Sequence, residues 1–295
     1  MNYLYISQSH DPYLNVAIEK NLFDGFQDGM IIYFWINSPC IVIGRNQNPY
    51  KEINLEKAHE KGIKIVRRFS GGGAVYQDLG NLNYTIISRK NNLEEVLKII
   101  TDPLRQLGFA TELSGRNDVM LEGKKVSGIA YLEDNGRFMY HGTLLIDTDL
   151  SLLEEVLTPS KLKIESKGIS SVRERVKNLR EKNKDFSSDS LIEAVKNNYL
   201  DLKDYKYNKE EVEKCHKIIS SKEWIYGESP EFNIELNKII NGRETEIRLF
   251  VKNGLIEKAV IFSDSLDVSF SSKLSKNLIG KLFSEENVQR EIEKL

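Results

Sequence analysis

The sequence predicts an α+β fold: a mixed, largely antiparallel sheet flanked by helices, followed by a small α+β unit. Three observations carry that expectation. Strand-like runs outnumber helical ones, and short turns join many of them. A length of 295 residues suits one large domain with a smaller companion. A domain boundary fits best near Gly227-Glu228-Ser229-Pro230, which divides the chain into a main domain, 1–230, and an accessory domain, 231–295.

Taken in order, residues 3–7 alternate as a short strand. Asp11 and Pro12 then open a helix, Asp as its cap and Pro in its first turn. Leu14, Ala17, Ile18 and Leu22 give that helix an apolar face. Met30–Ile36 and 41–43 read as buried strands around Asn37-Ser38-Pro39. Asn54 caps a short helix ending at Gly62, and 63–66 is a strand. Asn81–Ser88 is a strand, 92–107 a helix, and 119–121 and 126–131 are strands across Glu122-Gly123-Lys124. A strand over 137–146 and a helix over 149–157, stopped by Pro159, follow. Amphipathic helices are expected at 188–200 and 208–221. A hairpin over 246–251 and 255–262 turns at Lys252-Asn253-Gly254, and a polar helical tail ends the chain.

Bulk properties exclude several classes. The net charge is −2, so the chain is no polyanion binder by charge alone. Two cysteines and four histidines leave no disulfide framework and no multi-cysteine zinc site. The longest apolar run, Met30–Ile36, is far short of the roughly 20 residues of a membrane span. The first residues lack a basic stretch followed by an apolar one. The expectation is a cytoplasmic protein with no membrane or nucleic-acid partner.

The most unusual segment is Arg67-Arg68-Phe69-Ser70-Gly71-Gly72-Gly73-Ala74-Val75-Tyr76. Three glycines after a strand allow close backbone approach, and their N–H groups can form an anion nest. Arg67 and Arg68 would add charge to it. A flexible turn with two solvated arginines accounts for the same residues. No Walker loop or dinucleotide fingerprint is present: before Gly123-Lys124 the required glycine is Asp118, and after it stands Lys125. Lys125, just past a tight turn, can steady charge developing on a phosphate, or can be a solvated turn lysine. Asn117-Asp118 offers oxygens suited to Mg²⁺, or forms an Asx turn. His141 lies in a strand, where packing is the commoner role. Cys40 reads as a buried thiol, and Cys215-His216 sits on an amphipathic helix.

Other segments join these in order: Ile43-Gly44-Arg45-Asn46-Gln47-Asn48-Pro49, Asp78-Leu79-Gly80-Asn81-Leu82-Asn83, Gly115-Arg116-Asn117-Asp118, Lys125-Val126-Ser127-Gly128, His141-Gly142-Thr143-Leu144-Leu145, Leu157-Thr158-Pro159-Ser160-Lys161, Lys167-Gly168-Ile169, Ser171-Val172-Arg173 and Trp224-Ile225-Tyr226-Gly227. The ordered set, spanning nearly the whole chain, resembles the lipoate–protein ligase A family.

The resemblance implies a fold related to biotin ligases and the class II synthetase core. It implies a two-step reaction: ATP and lipoate give lipoyl-AMP and pyrophosphate, then a lysine of a lipoyl domain takes the lipoyl group. The acceptors it implies are lipoyl domains of 2-oxoacid dehydrogenases or the glycine-cleavage H protein. It implies that Lys125 touches the lipoyl carbonyl and the α-phosphate. Gly71, Gly72, Gly73, Ala74, Val75 and Tyr76 would hold the adenylate, with Arg68 nearby. Ser70, Asn83 and His141 would shape the lipoate pocket, and Asp118 would take Mg²⁺.

Nine basic against three acidic residues in 161–184 give a local net of +6, which could steer an acidic acceptor or be a solvated loop. Gln77 stands where bacterial members often have His, so a titrating role there gives way to a positioning one. The chain ends soon after Ile292, which implies an accessory domain short of a last helix or two. The rivals are an ATP-independent octanoyltransferase with a cysteine nucleophile and a non-catalytic lipoyl-domain binder. A biotin ligase would need a Gly-Arg-Gly-Arg-type loop, absent here, and an RNA binder a wider basic face.

Overall fold

Three hairpin turns set the antiparallel part of the structure. Glu122-Gly123, Asn135-Gly136 and Asn253-Gly254 each have positive φ at both positions, the turn geometry whose twist matches that of paired strands. The computed structural model describes residues 1–114, 118–158, 175–199, 201–227, 233–241, 243–263 and 269–295.

The main sheet has eight strands in the order β11-β1-β2-β6-β10-β9-β8-β7. They are β1 (Asn2–Ile6), β2 (Met30–Ile36), β6 (Asn81–Ser88), β7 (Thr111–Ser114), β8 (Asp118–Leu121), β9 (Lys124–Asp134), β10 (Arg137–Leu145) and β11 (Leu202–Asp204). Only β11–β1 and β1–β2 are parallel. The apolar run of β2 follows from burial on both faces. Ile32 and Phe34 enter one core with helices α4 (Leu93–Gln106) and α6 (Ser188–Asn198). Ile31, Tyr33 and Trp35 enter the other with α1 (Pro12–Gly25) and α7 (Lys209–Ile219).

Helix α1 starts as expected: Asp11 accepts from the Tyr13 N–H and Pro12 fills the first turn. Its buried face differs from the apolar stripe. Leu14 is only partly buried, whereas Asn15 and Glu19 are fully so. Two polar residues four apart on a core-facing side need internal partners, and both have them.

A three-stranded sheet, β4-β3-β5, lies beside the main one. It comprises β3 (Cys40–Ile43), β4 (Lys64–Arg67) and β5 (Val75–Gln77), and the glycine segment links the last two. Short helices α2 (Pro49–Glu52), α3 (Leu55–Glu60), α5 (Leu150–Val156) and α8 (Lys222–Tyr226) surround it. Beyond the unit boundary, β12 (Ile234–Ile240), β13 (Arg243–Lys252) and β14 (Leu255–Ser263) form an antiparallel sheet with α9 (Phe270–Leu278) and α10 (Glu285–Glu293). Strand β12 was not expected from the sequence; its burial alternates, but Lys238 on the inner side and the exposed Ile239 break the apolar pattern. This unit shares a hydrophobic cluster with β3, α2 and α3. The Tyr50 ring stacks on Tyr226 at 5.7 Å and meets the edge of Phe283 at 6.4 Å. Among the described residues no helix is long and apolar enough to cross a membrane.

Candidate active site

One cross-strand row builds the floor of the main cavity. Trp35 on β2 pairs with Asn83 on β6, Asn83 with Thr143 on β10, Thr143 with Gly128 on β9, and Gly128 with Asp118 on β8. All five line a cavity of about 330 Å³. At about 4.8 Å per strand the row runs roughly 19 Å from Trp35 to Asp118. Its two ends differ in character: Trp35 and Asn83 are buried, whereas Lys125 and Arg175 at the other end keep part of their surface.

A bulge puts Lys125 on that floor. Asp118 faces Gly128 and Val119 faces Ser127, but Met120 faces Lys125. The extra residue, Val126, shifts the alternation by one, so Lys125 and Gly128, three apart, share a face. Glycine at 128 is required by this arrangement: a Cβ there would lie 2.6 Å from Lys125 Nζ. The ammonium is held 2.7 Å from Asp118 Oδ1, and Arg175 pairs with Asp118 Oδ2. Burial opposes ionisation of Asp118, but the Lys125 ammonium and Arg175 guanidinium outweigh it and hold the carboxyl below its ordinary range.

The glycine segment is shaped by Arg68. Its guanidinium donates to Ser70 Oγ at 3.1 Å, to the carbonyls of Gly71 at 2.6 Å and Gly73 at 2.8 Å, and to Val42 at 3.1 Å. Burial lowers its pKa to about 10, which leaves it cationic at neutral pH. Gly72 adopts φ +92° against this guanidinium. Arg68, Gly72, Gly73, Ala74 and Val75 line the cavity. Arg67 overturns the expectation of a second cradle cation. It is 1% exposed and donates instead to the carbonyls of Gly44, Arg45, Gln47, Trp224 and Ile225. The alternation of strand β4 sends neighbours to opposite sides, which separates the two arginines.

Ser70 is fully buried and meets the cavity wall through Arg68 and His141, its Oγ 2.6 Å from His141 Nε2. His141 Nδ1 is 2.8 Å from Glu19 Oε1, which also accepts from Thr85 at 2.5 Å. Arg68, Ser70, His141 and Glu19 thus form one hydrogen-bonded chain from the glycine segment to α1. Gly71 is exposed and lies outside the cavity lining, and the Tyr76 ring packs with Ile41 in the neighbouring core. Tyr76, like Gly71, is thus absent from the cavity lining. Gln77 lines the cavity; its Oε1 accepts from Asn37 at 2.7 Å, and Asn37 in turn accepts from Asn15 at 2.8 Å. Cys40 is fully buried, and burial pushes its thiol up; Cys215 on α7 is pushed up as well.

Glu19, Trp35, Asn37 and Arg175 escaped the sequence reading. Asn15 and Glu19 carried a signal, because they fall among the apolar positions of α1. Trp35 and Asn83 have another: Trp35 Nε1 and Asn83 Nδ2 are buried without a partner among the described residues. Asn117, the segment 159–174 with four of the nine basic residues of the stretch, and Glu228-Ser229-Pro230 lie outside the described residues. Among the described residues no group of three or more His, Cys, Asp or Glu could hold a metal by itself. Both oxygens of Asp118 are paired, one with Lys125 and one with Arg175, so the carboxylate fits Mg²⁺ by sharing an oxygen with one of these cations.

A sheet-floored cavity, buried at the Trp35 end among apolar and polar side chains and cationic at the other beside a glycine segment, suits a ligand that joins a chain to an anionic group. Comparison with known proteins makes this specific. The profile of the lipoyl protein ligase A/B catalytic domain matches residues 11–200, and that of the bacterial lipoate protein ligase C-terminus matches 229–295. The chain belongs to the lipoate–protein ligase family. It is 37% identical to lipoate-protein ligase LplJ of Bacillus subtilis over 93% of this chain and 88% of that protein. Solved structures agree. P. falciparum LipL1 in complex with lipoate superposes with TM-score 0.69 at 27% identity, covering 100% of this chain and 95% of that one. The bipartite lipoate protein ligase of Thermoplasma acidophilum, described with its E2 lipoyl domain, gives 0.66 at 26%, covering 77% and 95%. A lipoate-protein ligase A bound with ATP gives 0.62 at 26%, covering 77% and 98%.

Proposed function

We propose that this chain activates lipoate with ATP to lipoyl-AMP and transfers the lipoyl group to a lysine of a lipoyl domain. The carrying observation is Lys125, turned by the bulge onto the cavity floor, with Gly128 leaving room for its ammonium beside the glycine segment. The named relatives are lipoate ligases, one solved with lipoate and one with ATP.

The cavity supports the following roles. The acyl tail lies along the row toward Trp35, and its carboxylate comes to Lys125. In the first step a carboxylate oxygen bonds to the α-phosphorus, and pyrophosphate leaves with the electrons of the broken P–O bond. Lys125 steadies the negative charge shared by carbonyl and phosphate oxygens. Arg68 occupies the carbonyls of Gly71 and Gly73, which leaves the N–H groups of the segment to meet the nucleotide phosphate. Asn83 and Trp35 wall the acyl end, and Ser70 and Glu19 orient His141 beside it. Asp118 would hold Mg²⁺, which would supply charge for the phosphates. In the second step the acceptor's lysine nitrogen attacks the lipoyl carbonyl carbon, loses a proton, and AMP leaves.

Lipoyl domains of 2-oxoacid dehydrogenases and the glycine-cleavage H protein are the acceptors we propose, with the reaction in the cytoplasm. We divide the chain into a catalytic domain, 1–230, and an accessory domain, 231–295. A cysteine-based transferase fits poorly: the Cys40 thiol is buried and hard to ionise, and Cys215 lies on α7, away from the cavity lining. The test is intact mass of an apo lipoyl domain after incubation with enzyme, ATP, Mg²⁺ and lipoate. A lipoyl mass increase that needs ATP and disappears in Lys125→Ala is expected. An increase without ATP from an acyl carrier protein donor would overturn the ligase reading.

A further inference from the structure

We propose that Arg175 is a second phosphate-binding residue of this site and contacts the pyrophosphate that leaves in adenylation; the inference rests on the ligase reading above. Arg175 lines the cavity with its side chain 27% exposed. Its one contact among the described residues is Nη2 on Asp118. A guanidinium carries five donors in a rigid fork, so several remain for phosphate oxygens.

Its placement is tied to the catalytic lysine. Val176 bridges Lys125 in parallel fashion, and the Lys177 N–H donates to the Lys125 carbonyl at 3.0 Å. Glu122, in the β8–β9 turn, binds both Lys177 and Lys182 at 2.7 Å. Residues 175–177 thus flank Lys125 on the side of β9 away from β8, and a backbone hydrogen bond sets where the guanidinium starts. Asp118 presents one oxygen to each cation, which brings Nζ and Nη2 to the two sides of one small anion.

Direction follows from the reaction. Attack on the α-phosphorus is in line, with the leaving oxygen opposite the entering carboxylate. The acyl tail extends toward Trp35, so pyrophosphate departs toward the Asp118 end of the row, where Arg175 sits. Both electrons of the broken bond go to pyrophosphate, and its growing charge is what a guanidinium fork stabilises.

The half-reactions separate this role from a purely structural one. Pyrophosphate takes part in ATP–pyrophosphate exchange but not in lipoyl transfer from supplied lipoyl-AMP. Arg175→Gln is expected to raise the KM for inorganic pyrophosphate and ATP about tenfold or more, while transfer from lipoyl-AMP stays within about twofold. Arg175→Lys should recover part of the loss. If Arg175 only braces Asp118, and through it Lys125, both half-reactions should fall together. That result, or unchanged pyrophosphate KM, overturns the proposal. Should Arg175→Gln fold poorly, the same comparison made with Arg175→Lys decides, with unchanged pyrophosphate KM counting against it. Wild-type enzyme run in parallel keeps the two readings apart: no lipoylation by wild type sinks the ligase reading itself.

Discussion

At the residue scale, Gly128 and Arg67 show how differently two motif positions act. A methyl group at 128 meets the far end of a flexible side chain, so the fold can absorb it while Lys125 is displaced. Gly128→Ala is expected to keep the melting temperature close to wild type and to lower adenylation by about 100-fold, since a shift of an ångström at a reacting group has that effect. A variant of near-normal rate would mean that Nζ does not work from this position. Arg67 acts through stability, because its guanidinium ties three carbonyls of the β3–α2 connection to two of α8. Arg67→Met takes a donor from each of these carbonyls, Gly44 keeping only the Gln47 N–H, and should cost about 3 kcal/mol in denaturant unfolding. A loss of activity with no loss of stability would contradict this structural assignment.

At the element scale, the β8–β9 hairpin and residues 175–182 behave as one unit held by Glu122. Hydrogen bonds from Lys177 and Lys182 lower the Glu122 carboxyl from 4.5 to about 2. A carboxyl lowered by folding stabilises fully above its unfolded value, and that stabilisation is lost as pH falls from there through about 2. The melting temperature of wild type should therefore drop more steeply between pH 5 and pH 2 than that of Glu122→Gln. Parallel curves would show that the two ion pairs do not hold the unit. The same element explains why Lys125 is fixed: one strand edge carries the bulge, and the other receives Val176.

At the scale of the whole molecule, the C-terminal sheet shares its core with the glycine-bearing sheet. Tyr50 is 4% exposed between Tyr226 and Phe283, and Asn48 donates to the Asn233 carbonyl at 2.8 Å. Tyr50→Ala should cost about 3–5 kcal/mol, as for other buried aromatics. Limited proteolysis should then release a C-terminal fragment before the main domain is cut; simultaneous loss of both would argue that they unfold as one body.

Local chemistry made much of this protein legible in its sequence. Turn residues such as Asn253-Gly254, caps such as Asp11 and Asn54, and the two-sided apolar run of β2 depend on neighbours in the chain. The glycine segment and the ordered motifs likewise marked the family before any contact was known. What only the tertiary structure decided are relations between distant strands. Nothing local separates Arg67, turned into the protein, from Arg68, turned to the glycines; that depends on which side of β4 meets α8. Nothing near residue 19 announces His141, 122 residues away. The row from Trp35 to Asp118 arises because five strands come into one register, and Lys125 joins it because of a single extra residue in a pairing the sequence does not display. Side-chain direction in a sheet is set by pairing between strands, and pairing is a property of the folded chain.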